Sequence, residues 1–118
     1  MLEKTVKDRV KRVLDAFKPD MDYFMPVQTG YGKRDLDFIC TFRGHPFRIE
    51  TKAPGKLLRP TQDNRIEELQ AAGVDVWVID DGTNFADHID LKNWLEDIDM
   101  KTKYRRGKLY VSPNKRTA

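Results

Sequence analysis

Apolar residues recur at intervals of three and four near the start of the chain, which is the pattern of an amphipathic helix. The pattern predicts a helix over residues 2–17. Pro19 marks its end, because the residue before a proline disfavours the helical conformation. The apolar side chains of this segment span one arc of the helix, which predicts that this face packs against the rest of the domain.

Strict alternation of apolar and polar residues then predicts two strands, over residues 35–42 and 47–53. The four residues 43–46 between them have the length of a hairpin connection. A shorter strand is predicted over residues 22–28, at a sheet edge because Pro26 interrupts it. One face of the long hairpin is apolar and the other carries most of its charges.

A second helix is predicted to open at Pro60 and to stop at Gly73. The apolar run over residues 74–79 predicts a buried strand, and residues 90–98 predict a third helix. A further short strand is predicted over residues 108–111. The order αβββαβ predicts an α/β sandwich with a mixed central sheet flanked by helices.

Length and composition limit the class of protein. The 118 residues suit a single domain, and no apolar run approaches the ~20 residues that a membrane span needs. The charged N-terminus has no apolar stretch typical of a signal peptide. The single cysteine, Cys40, excludes an internal disulfide and is expected to be a small buried residue. We therefore expect a soluble, cytoplasmic protein, in the host cytoplasm if it is encoded by a phage.

Charge is distributed unevenly between a body, residues 1–100, and a tail, residues 101–118. The tail has seven basic residues and no acidic one, while the body has 15 basic and 19 acidic residues. A basic tail of this kind indicates a polyanionic partner, and nucleic acid is favoured over a membrane because no amphipathic apolar face accompanies the charge. The alternative is a solvated tail that only improves solubility.

The polar face of the long hairpin carries the candidate chemistry. If the two phenylalanines that flank the turn face each other, Asp37 lies opposite Lys52 and Ile39 lies opposite Glu50. Two carboxylates and a lysine then share one patch, and carboxylate oxygens suit a hard cation such as Mg²⁺. The alternative is a solvent-facing sheet with a cross-strand Asp–Lys pair.

Glu3 adds an acidic group to this picture. It projects at the edge of the apolar arc of the first helix, toward the expected sheet. It could interact with the helix dipole or act as a further metal ligand, and periodicity alone does not decide between the two.

Residues 32–62 resemble the PD-(D/E)xK nuclease superfamily. Within it they are most similar to the virus-type replication-repair nuclease (VRR-NUC) domain, in its small stand-alone phage form. The matching parts are an Asp-Phe strand, a short hairpin, Ile-Glu-Thr-Lys-Ala-Pro-Gly, and Pro-Thr-Gln at the start of a helix. That helix ends in Ala-Ala-Gly-Val-Asp-Val-Trp-Val-Ile, which also fits. The resemblance covers roughly residues 1–80.

The resemblance implies a role for each matching position. Asp37 takes the place of the motif aspartate, and Glu50 and Lys52 form the Glu-x-Lys pair. Gln62 takes the place of the helix glutamine, and Glu3 that of the glutamate in the first helix. Asp37, Glu50 and Glu3 would be metal ligands, and Gln62 would orient the lysine or a water.

Two details of the resemblance leave alternatives. It implies that the backbone carbonyl of Thr51 is a further metal ligand. The proline that usually precedes the aspartate is replaced by Leu36, and Asp35 lies two residues upstream on the same face. The choice between Asp35 and Asp37 therefore stays open, although the predicted hairpin register favours Asp37.

The function implied is Mg²⁺-dependent endonuclease activity on DNA, with Mn²⁺ able to replace Mg²⁺. The resemblance implies a homodimer that acts on branched or distorted DNA such as junctions, bubbles or flaps, and no segment looks like a recognition helix for base edges. The alternative is a non-catalytic nucleic-acid-binding module with the same fold.

Several basic residues are candidates for contacts with the phosphate backbone. Four flank the candidate site and three lie in the tail, namely Lys33, Arg34, Lys56, Arg59, Lys103, Arg105 and Arg106. Neither His45 nor His88 belongs to a catalytic or zinc pattern, and both are expected at the surface. Trp77 is expected in the core, and Trp94 either packs on the domain or makes a subunit contact.

Overall fold

The computed structural model describes residues 1–27 and 35–102. The described chain is an α/β unit of three helices and four strands. In chain order these are α1 (Glu3–Asp15), β1 (Met21–Phe24), β2 (Phe38–Phe42), β3 (His45–Thr51), α2 (Pro60–Ala71), β4 (Asp75–Ile79) and α3 (His88–Lys101). Lys33, Arg34, three tail cations and the strand expected over residues 108–111 lie outside the described residues.

The four strands form one mixed sheet in the order β1-β2-β3-β4. β1, β2 and β3 pair antiparallel, and β4 pairs parallel to β3. A parallel pair needs a crossover, and α2 supplies it between β3 and β4. The predicted α/β architecture with a mixed sheet is therefore confirmed.

The apolar arc of α1 packs into the main core, as its periodicity predicts. Val6, Val10 and Leu14 are almost fully buried, whereas Leu2 lies before the helix and is exposed. The core joins α1 and α3 to one face of the sheet, where alternate residues of β2 and β3 such as Phe38 and Phe47 are fully buried. Burying an aliphatic or aromatic side chain stabilises the fold by about 1.5–3 kcal/mol.

The predicted hairpin register is wrong by two residues. The connection is a two-residue turn, Arg43 and Gly44, and both have positive φ, 49° and 79°. Phe42 therefore pairs with His45, and Ile39 pairs with Arg48 rather than with Glu50. Continued toward the start of β2, this register brings Asp37 opposite Glu50 and not opposite Lys52.

The second half of the chain follows its predicted elements with small changes. α2 begins at Pro60, and Gly73 follows its end with a φ of +84°. Among the described strands β4 lies at an edge of the sheet, and only Ile79 is buried in it, so the prediction of a buried strand holds only at its end. α3 is longer than predicted, and its Trp94 packs on the domain, against Trp77 and other rings, at 5.5 Å between centroids.

Two further expectations concern Cys40 and the membrane. Cys40 is buried, as predicted, and burial raises the pKa of its thiol to about 12. Among the helices of residues 1–27 and 35–102, none combines the length and the apolar character needed to cross a bilayer.

Candidate functional site

The candidate site lies at one end of the sheet, where β2 begins and β3 ends. The first turns of α1 and α2 reach this end from the two faces of the sheet. α1 belongs to the main core, whereas Gln62 and Arg65 of α2 bind residues on the opposite face. Residues from both layers therefore meet at one point.

Asp37 is fixed by the end of β3. Its Oδ2 accepts hydrogen bonds from the backbone N–H of Thr51 at 3.0 Å and from the Thr51 hydroxyl at 2.7 Å. Its backbone N–H donates to Oε1 of Glu50 at 3.2 Å. Asp37 precedes the regular part of β2, so its carboxylate can reach across the strand end. These contacts bring Asp37 and Glu50 together, as the sequence predicts.

Glu50 is a buried carboxylate, with 4% of its surface exposed. Burial, together with the negative charge of Asp37, raises the pKa of Glu50 to about 8, while the positive charge of Lys52 acts in the opposite direction. A carboxylate is buried only with compensating partners, because removal from water disfavours its charged form. At neutral pH and without a cation, Glu50 is therefore mostly protonated, and a bound cation would favour its charged form.

Gln62 links α2 to Glu50. Its Nε2 donates to Oε2 of Glu50 at 2.5 Å, and its Oε1 accepts from the backbone N–H of Arg59 at 2.9 Å. A Gln at this third helical position commonly accepts from the residue before the helix. Gln62 therefore serves both the helix start and the orientation of Glu50. The sequence placed it at the site but predicted contact with the lysine or a water instead of Glu50.

Lys52 follows β3 on the same face as Glu50 and is buried, with 6% of its surface exposed. Its backbone N–H donates to the carbonyl of Ile79 at 3.0 Å. Among the described residues, its ammonium group has no ion pair within 4 Å. A buried lysine without such a partner is costly, and residues of this kind concentrate at functional sites.

Asp35 has different partners from Asp37. Its carboxylate binds Arg65 at 3.1 Å and Arg48 at 3.4 Å, and it accepts from the N–H of Leu36 at 2.7 Å. Burial acts to raise the pKa of Asp35, but these hydrogen bonds and positive charges outweigh it, and the pKa is lowered. Two guanidinium groups already compensate its charge, so the geometry favours Asp37 over Asp35 as a metal ligand.

Glu3 connects to the site through a lysine that sequence reasoning missed. Lys7 lies 3.5 Å from the Glu3 carboxylate and 3.7 Å from Oδ1 of Asp37. The spacing of four residues on one helix is the signal that could have identified it. Glu3 itself is half-buried at the start of α1 and reaches the site through Lys7.

A pocket of about 120 Å³ opens beside these groups. The polar residues that line it are Asp35, Asp37, Glu50, Arg59, Thr61, Gln62 and Arg65. Arg65 was not identified from the sequence, although it lies one helical turn after Gln62. Lys56 and Arg59, the two described cations proposed to contact phosphate, belong to the loop between β3 and α2 and are both exposed.

Asp81, Asp87 and His88 form a second group of potential ligands, at the start of α3. Arg9 binds Asp81 at 2.7 Å, and the Asp87 side chain accepts from the N–H of Ile89 to cap α3. These carboxylates thus have structural partners. His88 is partly buried and lies 2.6 Å from Asp87, so its predicted surface location holds only in part.

Comparisons of the chain with protein-family models, with curated proteins and with solved structures gave no match. The choice of a function therefore depends on the residues of the site.

Proposed function

We propose that this chain is a metal-dependent endonuclease with a PD-(D/E)xK core, which hydrolyses phosphodiester bonds in DNA. One observation carries the proposal. Asp37 and the buried Glu50 touch each other, and Lys52, a buried lysine that forms no ion pair with another described residue, lies on the same face of β3. Two carboxylates and a lysine at the end of a hairpin are the groups that this chemistry needs.

The donor set suits a divalent cation such as Mg²⁺ or Mn²⁺. Asp37 and Glu50 offer carboxylate oxygens, the ligand type that these hard cations prefer, and the Thr51 carbonyl and Glu3 complete the proposed set. The raised pKa of Glu50 is consistent with this interpretation, because two neighbouring carboxylates repel each other until a cation compensates them. When bound, the cation polarises the scissile phosphate and lowers the pKa of a bound water.

The chain's own residues have separate roles in this proposal. Lys52 orients or deprotonates the attacking water, or stabilises charge that develops on the phosphate oxygens. Gln62 holds the Glu50 carboxylate in place through its amide. Thr51 fixes the orientation of Asp37 by two hydrogen bonds. Positioning groups of this kind keep ligands in a single orientation.

The proposed substrate is DNA distinguished by its structure. α1 and α3 pack on the sheet through their apolar faces, and the first turns of α2 are bound to the site through Gln62 and Arg65, so we propose no recognition helix for the major groove. A chain of this size is too small to hold two duplex arms, which favours a homodimer on junctions, bubbles or flaps. We place this activity in the cytoplasm.

Lys7 favours the alternative, a non-catalytic nucleic-acid-binding module. Its ammonium group is near both Asp37 and Glu3 and can compensate their charge without a metal. The two functions predict different outcomes in one experiment.

The test is nicking of supercoiled plasmid, and cleavage of four-way junctions, flaps and bubbles, with Mg²⁺ or Mn²⁺ and with EDTA as the negative control. Glu50→Gln removes the charge that holds the cation, and Lys52→Ala removes the ammonium group. We expect each to lower cleavage by a factor of about 10² or more, while DNA binding survives. Glu96→Gln is the matched control, because Glu96 is exposed on α3 and pairs only with Lys92 among the described residues.

If Glu50→Gln nicks plasmid as fast as the wild type, the activity belongs to a contaminant or another site. If the wild type binds DNA but cuts none of these substrates with either cation, the binding module is the correct interpretation.

A further inference from the structure

The loop over residues 53–59 connects the two parts of the candidate site, namely the end of β3 with Glu50 and Lys52 and the start of α2 with Gln62. It begins directly after Lys52 and ends at Arg59, which lines the pocket beside Asp37 and Glu50. Near its middle it exposes a large apolar side chain, Leu57, with 74% of its surface accessible. Consecutive Cα atoms are 3.8 Å apart, so Leu57 lies within about 8 Å of Arg59 along the chain.

The loop backbone is held at several points. The N–H of Lys56 donates to the carbonyl of Ala53 at 3.1 Å, and that of Arg59 donates to the Gln62 side chain. The backbone of Gly55 lies near the carboxylate of Asp80, a fully buried group in the loop after β4, and helps to lower the pKa of that carboxylate. Gly55 has a φ of +86°, which favours glycine at this position. Leu57 is therefore presented to solvent by an anchored loop.

The charges around Leu57 favour a polyanion. Lys56 and Arg59 are exposed, and neither forms an ion pair with another described residue. No acidic residue occurs between Lys52 and Gln62. An isolated exposed leucine is ordinary on a protein surface. An anchored leucine between two cations at the mouth of a phosphodiesterase site suits a ligand with both phosphates and apolar base faces.

We infer that Leu57 is a wedge that inserts into the DNA base stack beside the scissile phosphate, while Lys56 and Arg59 hold the flanking phosphates. The inference rests on the proposed nuclease function and specifies how structure is selected. Proteins that insert an apolar side chain between base steps must unstack them, which costs a few kcal/mol per step in paired DNA. The cost is least where bases are already unpaired, so the wedge favours junctions, bubbles and flaps over intact duplex.

The experiment measures unstacking and cleavage separately. DNA bubbles and junctions carry 2-aminopurine, a base whose fluorescence rises on unstacking, at the edge of the unpaired region. Binding is measured in EDTA with the full-length protein, so that no strand is cut. We expect the wild type to raise the fluorescence and Leu57→Ala to lose most of that rise. With Mg²⁺, Leu57→Ala should lose about tenfold of its preference for bubble over paired duplex, which corresponds to the burial of part of one leucine side chain.

Two variants serve as matched controls. Leu57→Phe keeps an apolar wedge and should retain both the fluorescence rise and the preference. Met100→Ala removes a different exposed apolar side chain, near the end of α3, and should change neither quantity.

Three results would overturn the inference. The first is an unchanged fluorescence rise and preference in Leu57→Ala, and the second is an equal loss of affinity for paired and unpaired DNA, which indicates a general contact. The third is a change from dimer to monomer on size-exclusion chromatography, because Leu57 would then contact a second copy of the chain. Failure of the nuclease proposal gives a different result, namely no cleavage by the wild type, with the fluorescence assay still informative.

Discussion

Asp35 and Asp37 are distinguished by the residues that contact them. They lie two positions apart on the same predicted face, and the sequence could place both near the site but could not choose between them. The choice depends on Arg65, which comes from α2, and on Thr51 at the end of β3. These contacts join residues 14 and 30 positions apart, so local periodicity contains no information about them.

The different partners predict different effects of removing each charge. Asp37→Asn should abolish cleavage with little loss of stability, because the amide oxygen can still accept from Thr51. Asp35→Asn should lower the free energy of unfolding by about 1–3 kcal/mol at pH 7, because Arg48 and Arg65 then face each other without a carboxylate. Chemical denaturation and plasmid nicking of both variants measure the two effects.

The pH dependence gives a second check on Asp35. Its pKa is lowered in the folded state, so its contribution is present above the usual aspartate pKa of about 3.9 and is lost as the pH falls through the lower folded value. The difference in stability between wild type and Asp35→Asn should therefore shrink as the pH falls from about 5 to about 2, a range that includes the ordinary aspartate pKa of about 3.9. Equal differences at neutral and acid pH would show that the loss comes from packing instead of charge.

At the level of elements, the hairpin shows which part of strand pairing a sequence determines. Alternation correctly assigned the faces of β2 and β3, because the side-chain period of a strand is two. The turn was predicted with four residues and has two, so every pair moved by two positions. An even shift leaves each residue on its face and changes only its neighbour, which is why Glu50 and not Lys52 lies beside Asp37.

The reason for the short turn lies outside the hairpin. Arg43 adopts a positive φ, which is uncommon for a residue other than glycine or asparagine. Its guanidinium group binds Asp20 at 2.7 Å and also Asp99 at the end of α3. The favoured Asn-Gly signal of such turns is absent here, so this conformation could not be predicted from the sequence.

The loop after β4 is a second element whose stability depends on one residue. The buried carboxylate of Asp80 accepts from the N–H groups of Thr83, Asn84 and Phe85, at 2.7 to 3.0 Å. Asp80→Ala leaves these donors without their acceptor and should lower the free energy of unfolding by about 2–4 kcal/mol. Asp97→Ala, which removes an exposed carboxylate paired with Lys101, should change it by less than about 1 kcal/mol.

Acid should selectively weaken this loop. Burial acts to raise the pKa of Asp80, but the backbone hydrogen bonds outweigh it and the pKa is lowered. The stabilisation is therefore present above the usual aspartate pKa and is lost as the pH falls below it. Urea denaturation of the two alanine variants at neutral and acid pH measures the free energy of unfolding that the Asp80 carboxylate contributes. An Asp80→Ala protein as stable as Asp97→Ala would contradict the proposed role of the carboxylate.

At the scale of the whole molecule, the candidate site is assembled from both layers of the α/β unit. The order of elements and the burial of α1 were predictable, because each follows from a strong local period. The contacts that complete the site were not predictable in this way, since Lys7 reaches the site from α1 and Gln62 reaches it from α2. β4 was predicted as buried because it is apolar, but it lies at an edge of the sheet that the described strands form.

The distribution of charge over the whole chain leads to the last prediction. The body carries four more acidic than basic residues, whereas residues 101–118 carry seven basic residues. Most of the long-range attraction for DNA should therefore come from the tail, and each phosphate contact contributes about 0.9 to the slope of log affinity against log salt concentration.

Replacing Lys103, Arg105 and Arg106 together by glutamine should reduce that slope by about two to three, equally for all sequences. Replacing Lys11, Lys18 and Lys92 removes the same charge from α1, from the segment that follows it and from α3, and should change the slope by less than about one. Fluorescence anisotropy at several salt concentrations measures both. Equal slopes for the two triple variants would show that net charge alone, and not contact with the tail, determines the affinity.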